Sequence, residues 1–147
     1  MDWNQINKES KLLTANLKKL NLTISTAESC TGGMIATAII HNPGSSNVFT
    51  NGFITYSNQA KISELNVCKN TIDRFGSVSK ECSLEMIDGL LNKTRTDLGI
   101  SITGIAGPGG GTDNKPTGLV WIGYGNNNHK KTVKFIFKGN RLIVRLN

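Results

Sequence analysis

Ser29 stands in a glycine-rich turn, Ala27-Glu28-Ser29-Cys30-Thr31-Gly32-Gly33, placed directly after the apolar run Leu22 to Thr26. A second turn of the same kind, Thr103-Gly104-Ile105-Ala106-Gly107-Pro108-Gly109-Gly110-Gly111, follows Leu98 to Ile102. Glycines at the carboxyl end of a strand let backbone N–H groups converge on a ligand, and in open α/β sheets that edge is where ligands bind. Two such turns in one chain of 147 residues point to a site for a small anionic molecule, with Ser29 standing in it.

A serine nucleophile needs a base. The chain has two histidines. His41 ends an apolar helix ahead of a Pro-Gly turn and His129 sits in a polar hairpin tip, so both read as ordinary structural or surface residues. Ser29 also lacks the G-x-S-x-G context of a hydrolase elbow, and a Ser-His-Asp triad is poorly supported. A lysine can act instead if its pKa falls from about 10.4 toward neutrality, a shift of about three units worth roughly 4 kcal/mol. Lys61 lies one turn inside a helix capped at Ser57 or Asn58, where the positive end of the helix disfavours a second cation. Burial beside Tyr56 and Ile62 would push the same way. Taken on spacing alone, Lys61 also reads as a solvated helix lysine.

The elements that must position these groups follow from periodicity. Trp3, Ile6, Leu13, Leu17 and Leu20 recur at helical spacing and predict a helix over 3–19, followed by a strand over 22–27. Residues 33–40 read as a buried helix stopped by His41-Asn42-Pro43-Gly44, Phe53 to Tyr56 as a strand, and the segment through Leu65 as a short helix. Ser79 opens a helix to about Thr96 with Cys82, Met86, Leu90 and Leu91 on its apolar face. Strands over 98–102, 119–124 and 132–137 follow, the last two as a hairpin around Asn126-Asn127-Asn128. This order predicts an α/β fold: a three-layer α/β/α sandwich on a mixed, mostly parallel sheet of about five strands, in a single domain over 1–147.

Composition bounds the partners. No apolar run approaches the roughly 20 residues that span a bilayer, and the amino terminus is unlike a signal peptide, so no membrane is expected and a cytoplasmic location is. Three scattered cysteines, Cys30, Cys68 and Cys82, form neither a disulfide framework nor a C-x-x-C pair, and no metal site is expected. The net charge of +7 favours anionic partners, much of it from Lys130, Lys131, Lys134, Lys138, Arg141 and Arg145, with no carboxylate side chain after Asn128. No helix-turn-helix, RNA-binding or finger pattern accompanies that charge, so nucleic acid is not the expected partner.

Further segments complete a set. The two turns, together with Pro43-Gly44-Ser45-Ser46, Gly52-Phe53-Ile54-Thr55-Tyr56-Ser57-Asn58-Gln59-Ala60-Lys61, Gly76-Ser77-Val78-Ser79 and Lys115-Pro116-Thr117-Gly118-Leu119-Val120-Trp121, resemble the successive motifs of the CinA carboxy-terminal domain family. That family is also known as the PncC-type nicotinamide mononucleotide deamidases, and the resemblance covers roughly residues 5 to 145. It implies a cofactor-free amidohydrolase that turns nicotinamide mononucleotide and water into nicotinate mononucleotide and ammonia, within pyridine-nucleotide salvage, by a serine/lysine mechanism. Carried over by position, Ser29 is the nucleophile and Lys61 the general base, while Ser46, Tyr56 and Thr103 match further polar positions of the family's site.

Binding groups are expected around them. Backbone N–H groups from Cys30, Thr31, Gly32 and Gly33 are candidates for the oxyanion. Gly107, Gly109 and Gly110 belong to a loop that is either an anion-binding nest or a surface connection, and Arg141 is either a bidentate phosphate contact or a surface arginine. Glu28 is expected to point away, because pairing with Lys61 would raise the lysine pKa. Relative to the family, the chain carries no amino-terminal domain and stops at Asn147, with about two turns at most after Gly139 in place of a full terminal helix. The expectation is therefore a homo-oligomer, with Leu142, Ile143, Val144 and Leu146 against a second subunit, or a weakened enzyme. The alternative function is a nucleotide-binding or regulatory member that has lost turnover.

Overall fold

Asp2 accepts the Gln5 N–H and opens α1 (Trp3–Leu20), which Asn21 ends in a left-handed conformation at φ 52°. Both ends thus satisfy backbone groups that a helix leaves unpaired. A computed structural model describes residues 2–147. The first strand, β1 (Ile24–Glu28), is buried at every residue, as a strand covered on both faces must be. It pairs in parallel with β2 (Phe49–Ile54) on one side and β3 (Leu98–Gly104) on the other. The hairpin of β4 (Leu119–Gly125) and β5 (Lys130–Ile136) extends the sheet antiparallel from β3, giving the order β2-β1-β3-β4-β5. Four of the five strands therefore point one way, and the sheet is the mixed, mostly parallel one expected.

Helices cover both faces. α1, α2 (Met34–Ile40) and the short α6 (Arg141–Leu146) lie on one, over Ile24, Ile102 and Val120. On the other lie α3 (Asn58–Leu65), α4 (Lys69–Phe75) and α5 (Lys80–Thr94), over Ala27. The division follows from handedness: the chain steps from β1 outward to β2, then back across β1 to β3. Right-handed crossovers in opposite directions put their helices on opposite faces. That reversal also makes the carboxyl ends of β1 and β3 a topological switch point, the crevice where open α/β sheets bind ligands.

Two local expectations are corrected, and one helix arises where the sequence offers no signal. The second strand runs over Phe49–Ile54 rather than 53–56, because the strand contains Gly52 and is largely exposed, which erases its apolar alternation. A Cβ at Gly52 would lie 3.3 Å from both the Phe49 ring and Thr26 Oγ1, a tight fit against these two side chains. α4 carries no cap in its own sequence: Cys68 makes no side-chain cap bond. Its first turn is closed instead by Glu85 of α5, which accepts from the Cys68 N–H and the Thr71 hydroxyl. In the terminal stretch, Val144 is not offered to a partner but is 3% exposed in the chain's own core, while Leu142 and Ile143 remain exposed. Among the described residues no helix is long and apolar enough to cross a membrane.

The packing of α3 on α5 has one point without slack. A Cβ at Gly89 of α5 would sit 1.8 Å from the Leu65 carbonyl oxygen at the end of α3. Gly89→Ala should therefore cost stability despite the gain of about 1 kcal/mol in helix propensity, with overpacking of about 1–3 kcal/mol winning. Urea unfolding should show a net loss of up to about 2 kcal/mol.

Candidate active site

Alternation along β1 separates two adjacent polar residues. Glu28 turns toward the α2 face, where its carboxyl oxygens accept the N–H groups of Gly33 at 3.0 Å, Ile35 at 3.2 Å and Ala36 at 2.8 Å. Glu28 thus points away from Lys61, as expected. Ser29, one residue on, extends the pairing with β3 through its N–H to the Ile102 carbonyl, and its side chain falls on the opposite face, with α3. Thr103, at the end of β3, faces the same side and donates its hydroxyl to the Ser77 carbonyl at 2.7 Å.

Lys61 meets Ser29 there. Ser57 caps α3 by accepting the Ala60 N–H, which fixes the first turn from which Lys61 reaches inward. Its side chain is 1% exposed, with Nζ 2.8 Å from the Thr55 carbonyl and 3.0 Å from Ser29 Oγ. Burial holds the Lys61 pKa below the ordinary 10.5, since desolvation disfavours the ammonium form. Thiolates at Cys82 and Cys30 would oppose this, but burial pushes both thiols up to about 11, so neither carries charge at neutral pH. No carboxylate acts on Lys61. A neutral amine here can donate to Thr55 and accept the Ser29 proton, which is the arrangement a general base requires.

The pair opens into a chamber of about 220 Å³ lined by Ser29, Lys61, Tyr56, Thr103, Ser77 and Arg141, among others. A second chamber of about 410 Å³ shares the Ser77, Val78 and Arg141 walls and adds Gly107, Gly109, Gly110 and Lys115. Arg141, the first residue of α6, spans the two, donating to the Gly107 carbonyl at 2.8 Å and to the Tyr56 hydroxyl oxygen at 3.0 Å. The N–H groups of Gly109, Gly110 and Gly111 make no hydrogen bond to another described residue. An apolar cavity of about 360 Å³ lies among α1, α2 and α6, away from the lysine.

Two expectations about the site change. Ser46 is exposed on the short 3-10 helix before β2, at the strands' amino ends, so the fold does not bring it to Ser29. Of the four expected oxyanion donors, the Gly32 N–H bonds the Ser29 carbonyl and the Gly33 N–H is held by Glu28. In that turn the Cys30 and Thr31 N–H groups face the Cys30 thiol and make no backbone hydrogen bond to another described residue. Sequence reasoning missed Ser77, Lys115 and Arg145, because each reaches the site from a distant segment.

Comparison with known proteins bears out the family that the motifs point to. The model of the CinA C-terminal domain matches residues 6–147. The chain belongs to that family. A competence-damage inducible protein of Clostridium perfringens is 54% identical over 124 residues, which are 84% of this chain and 30% of that one. One from Clostridium botulinum is 50% identical over 92% of this chain and 33% of its own length. The chain thus spans about a third of the curated relatives it matches. Among solved structures, competence/damage inducible protein CihA from Agrobacterium tumefaciens superposes with a TM-score of 0.94 at 39% identity, covering 96% of this chain and 87% of that one. A CinA superfamily protein from Escherichia coli gives 0.91 at 33% identity, covering 99% and 87%.

In this CinA C-terminal domain the buried lysine leaves a signature in stability. Between its lowered pKa and the ordinary 10.5, the unfolded chain holds a Lys61 proton that the folded chain has released. The contribution of Lys61 to stability therefore rises with pH across that window. Lys61→Met should remove that part of the slope, read from urea midpoints of both proteins at several pH values. Equal slopes would exclude the depressed lysine.

Proposed function

We propose that the domain is an amidohydrolase that deamidates nicotinamide mononucleotide by way of an acyl-enzyme on Ser29. The observation that carries this reading is the 3.0 Å approach of a buried, carboxylate-free Lys61 amine to the Ser29 hydroxyl. Neutral Lys61 takes the hydroxyl proton as Oγ attacks the carboxamide carbon, and the N–H groups of Cys30 and Thr31 are the donors left for the oxyanion. The Lys61 ammonium returns the proton to the leaving nitrogen, and ammonia departs. Water, deprotonated by the same amine, then cleaves the ester and frees the nicotinate product and Ser29.

The two chambers suit the two ends of such a substrate. The inner one, beside Ser29, takes the pyridine carboxamide, whose ring charge makes the amide carbon more electrophilic. The outer one offers Arg141, Lys115 and the free N–H groups of the Gly109 to Gly111 loop to a phosphate. Thr103 and Tyr56 line the inner chamber, where their hydroxyls can relay protons or orient the amide.

Purified protein should release ammonia from nicotinamide mononucleotide, with nicotinate mononucleotide as the second product by chromatography. Ser29→Ala should lower kcat by on the order of 10⁴-fold or more while substrate binding persists. Lys61→Arg should fail as well, because a guanidinium keeps its proton. Tight binding by wild type without ammonia release would favour the nucleotide-binding reading instead.

A further inference from the structure

Charged side chains of opposite sign hold the turn after β1 on its two polar sides. Glu28 takes the N–H groups at the start of α2, and Arg145 of α6 takes carbonyls: its Nε donates to Cys30 O at 3.0 Å and its Nη2 to Thr31 O at 2.9 Å. The Gly32 N–H closes the turn on Ser29 O. In a trans peptide the C=O and N–H point in opposite directions. Holding Cys30 O therefore aims the Thr31 N–H away from the guanidinium. That N–H and the Cys30 N–H lie beside Cys30 Sγ, and Cys30 lines the inner chamber with Ser29. Gly32 adopts φ +61°, and a Cβ there would lie 3.3 Å from Arg145 Nη2, so the guanidinium packs closely over this glycine.

We propose that Arg145 is a positioning residue for acyl transfer: by pinning Cys30 O it sets the peptide plane that presents the Thr31 N–H to the oxyanion, and by pinning Thr31 O it holds the Gly32 N–H on Ser29 O, which fixes the plane of the Cys30 N–H. The inference rests on the reading of Ser29 as nucleophile. Arg145 touches none of the reacting atoms. A lysine, with one nitrogen on a longer flexible stem, cannot hold both carbonyls in one plane.

The test uses a fluorophosphonate, which reports on this machinery whatever amide the enzyme prefers. Ser29 Oγ attacks phosphorus, the P–F bond breaks, fluoride leaves, the proton passes to Lys61, and the same donors hold the phosphoryl oxygen. Arg145→Ala should be labelled at Ser29 on the order of 100-fold more slowly than wild type. Millimolar methylguanidinium should restore the rate several-fold in the variant and leave wild type unchanged. With nicotinamide mononucleotide, kcat should fall while KM holds within about twofold and the pH of half-maximal rate, set by Lys61, stays put.

Labelling of Arg145→Ala at the wild-type rate would overturn the proposal, as would a loss that methylguanidinium does not restore. Should that variant fail to fold, Arg145→Lys carries the comparison: slower labelling at an unchanged melting temperature supports the clamp, and the wild-type rate overturns it. If wild type is labelled at Ser29 but releases no ammonia, the substrate assignment fails and the clamp stands. If wild type is not labelled, both fall.

Discussion

A lysine amine buried against a serine hydroxyl, with no carboxylate beside it, is the constraint around which the domain is arranged. Burying an ammonium without a counterion is costly, and the site meets that cost by lowering the lysine pKa rather than by supplying an acid. One acid is close at hand in sequence, since Glu28 precedes Ser29. Strand alternation sends it to the other face, where three N–H groups of the α2 region hold it. The same alternation keeps the serine with the lysine and the carboxyl group away from it.

Each wall of the site comes from a different part of the chain. β1 and β3 supply Ser29 and Thr103 at their carboxyl ends, the β2–α3 connection supplies Thr55, Tyr56 and Lys61, and α6 supplies Arg141 and Arg145. The opposite directions of travel from β1 to β2 and from β2 to β3 leave the crevice open between the two helical layers. α6, six residues long, therefore does more than close the fold: its first residue ties the Tyr56 loop to the glycine loop, and its fifth holds the turn beside the nucleophile.

Much of this was legible in the chain itself. The helix of α1, the cap at Ser57, the cap at Ser79 and the hairpin of β4 and β5 all carry local signals, and the structure places elements there with boundaries shifted by a few residues. Where local signals were absent, reading failed. α4 is closed by a glutamate from another helix, β2 carries a glycine and is largely exposed, and Val144 turns inward although its exposed neighbours Leu142 and Ile143 look alike in sequence. The site divides in the same way: Ser29, Lys61, Tyr56, Thr103 and Arg141 converge, whereas Ser46 lies at the far edge of the sheet.

The sequence by itself determined which groups were available: a serine in a glycine turn, a lysine one turn into a capped helix, a glycine-rich loop and a basic terminus without acids. Those are properties of residue type and spacing, which local backbone preferences suffice to express. Only the tertiary structure decided which groups meet. The distance from Lys61 to Ser29, the loss of water around that amine, the diversion of Glu28, and the two carbonyls held by Arg145 across more than a hundred residues all depend on layers packed from distant segments. Desolvation and hydrogen-bond direction are properties of that assembled interior, and no window of sequence contains them.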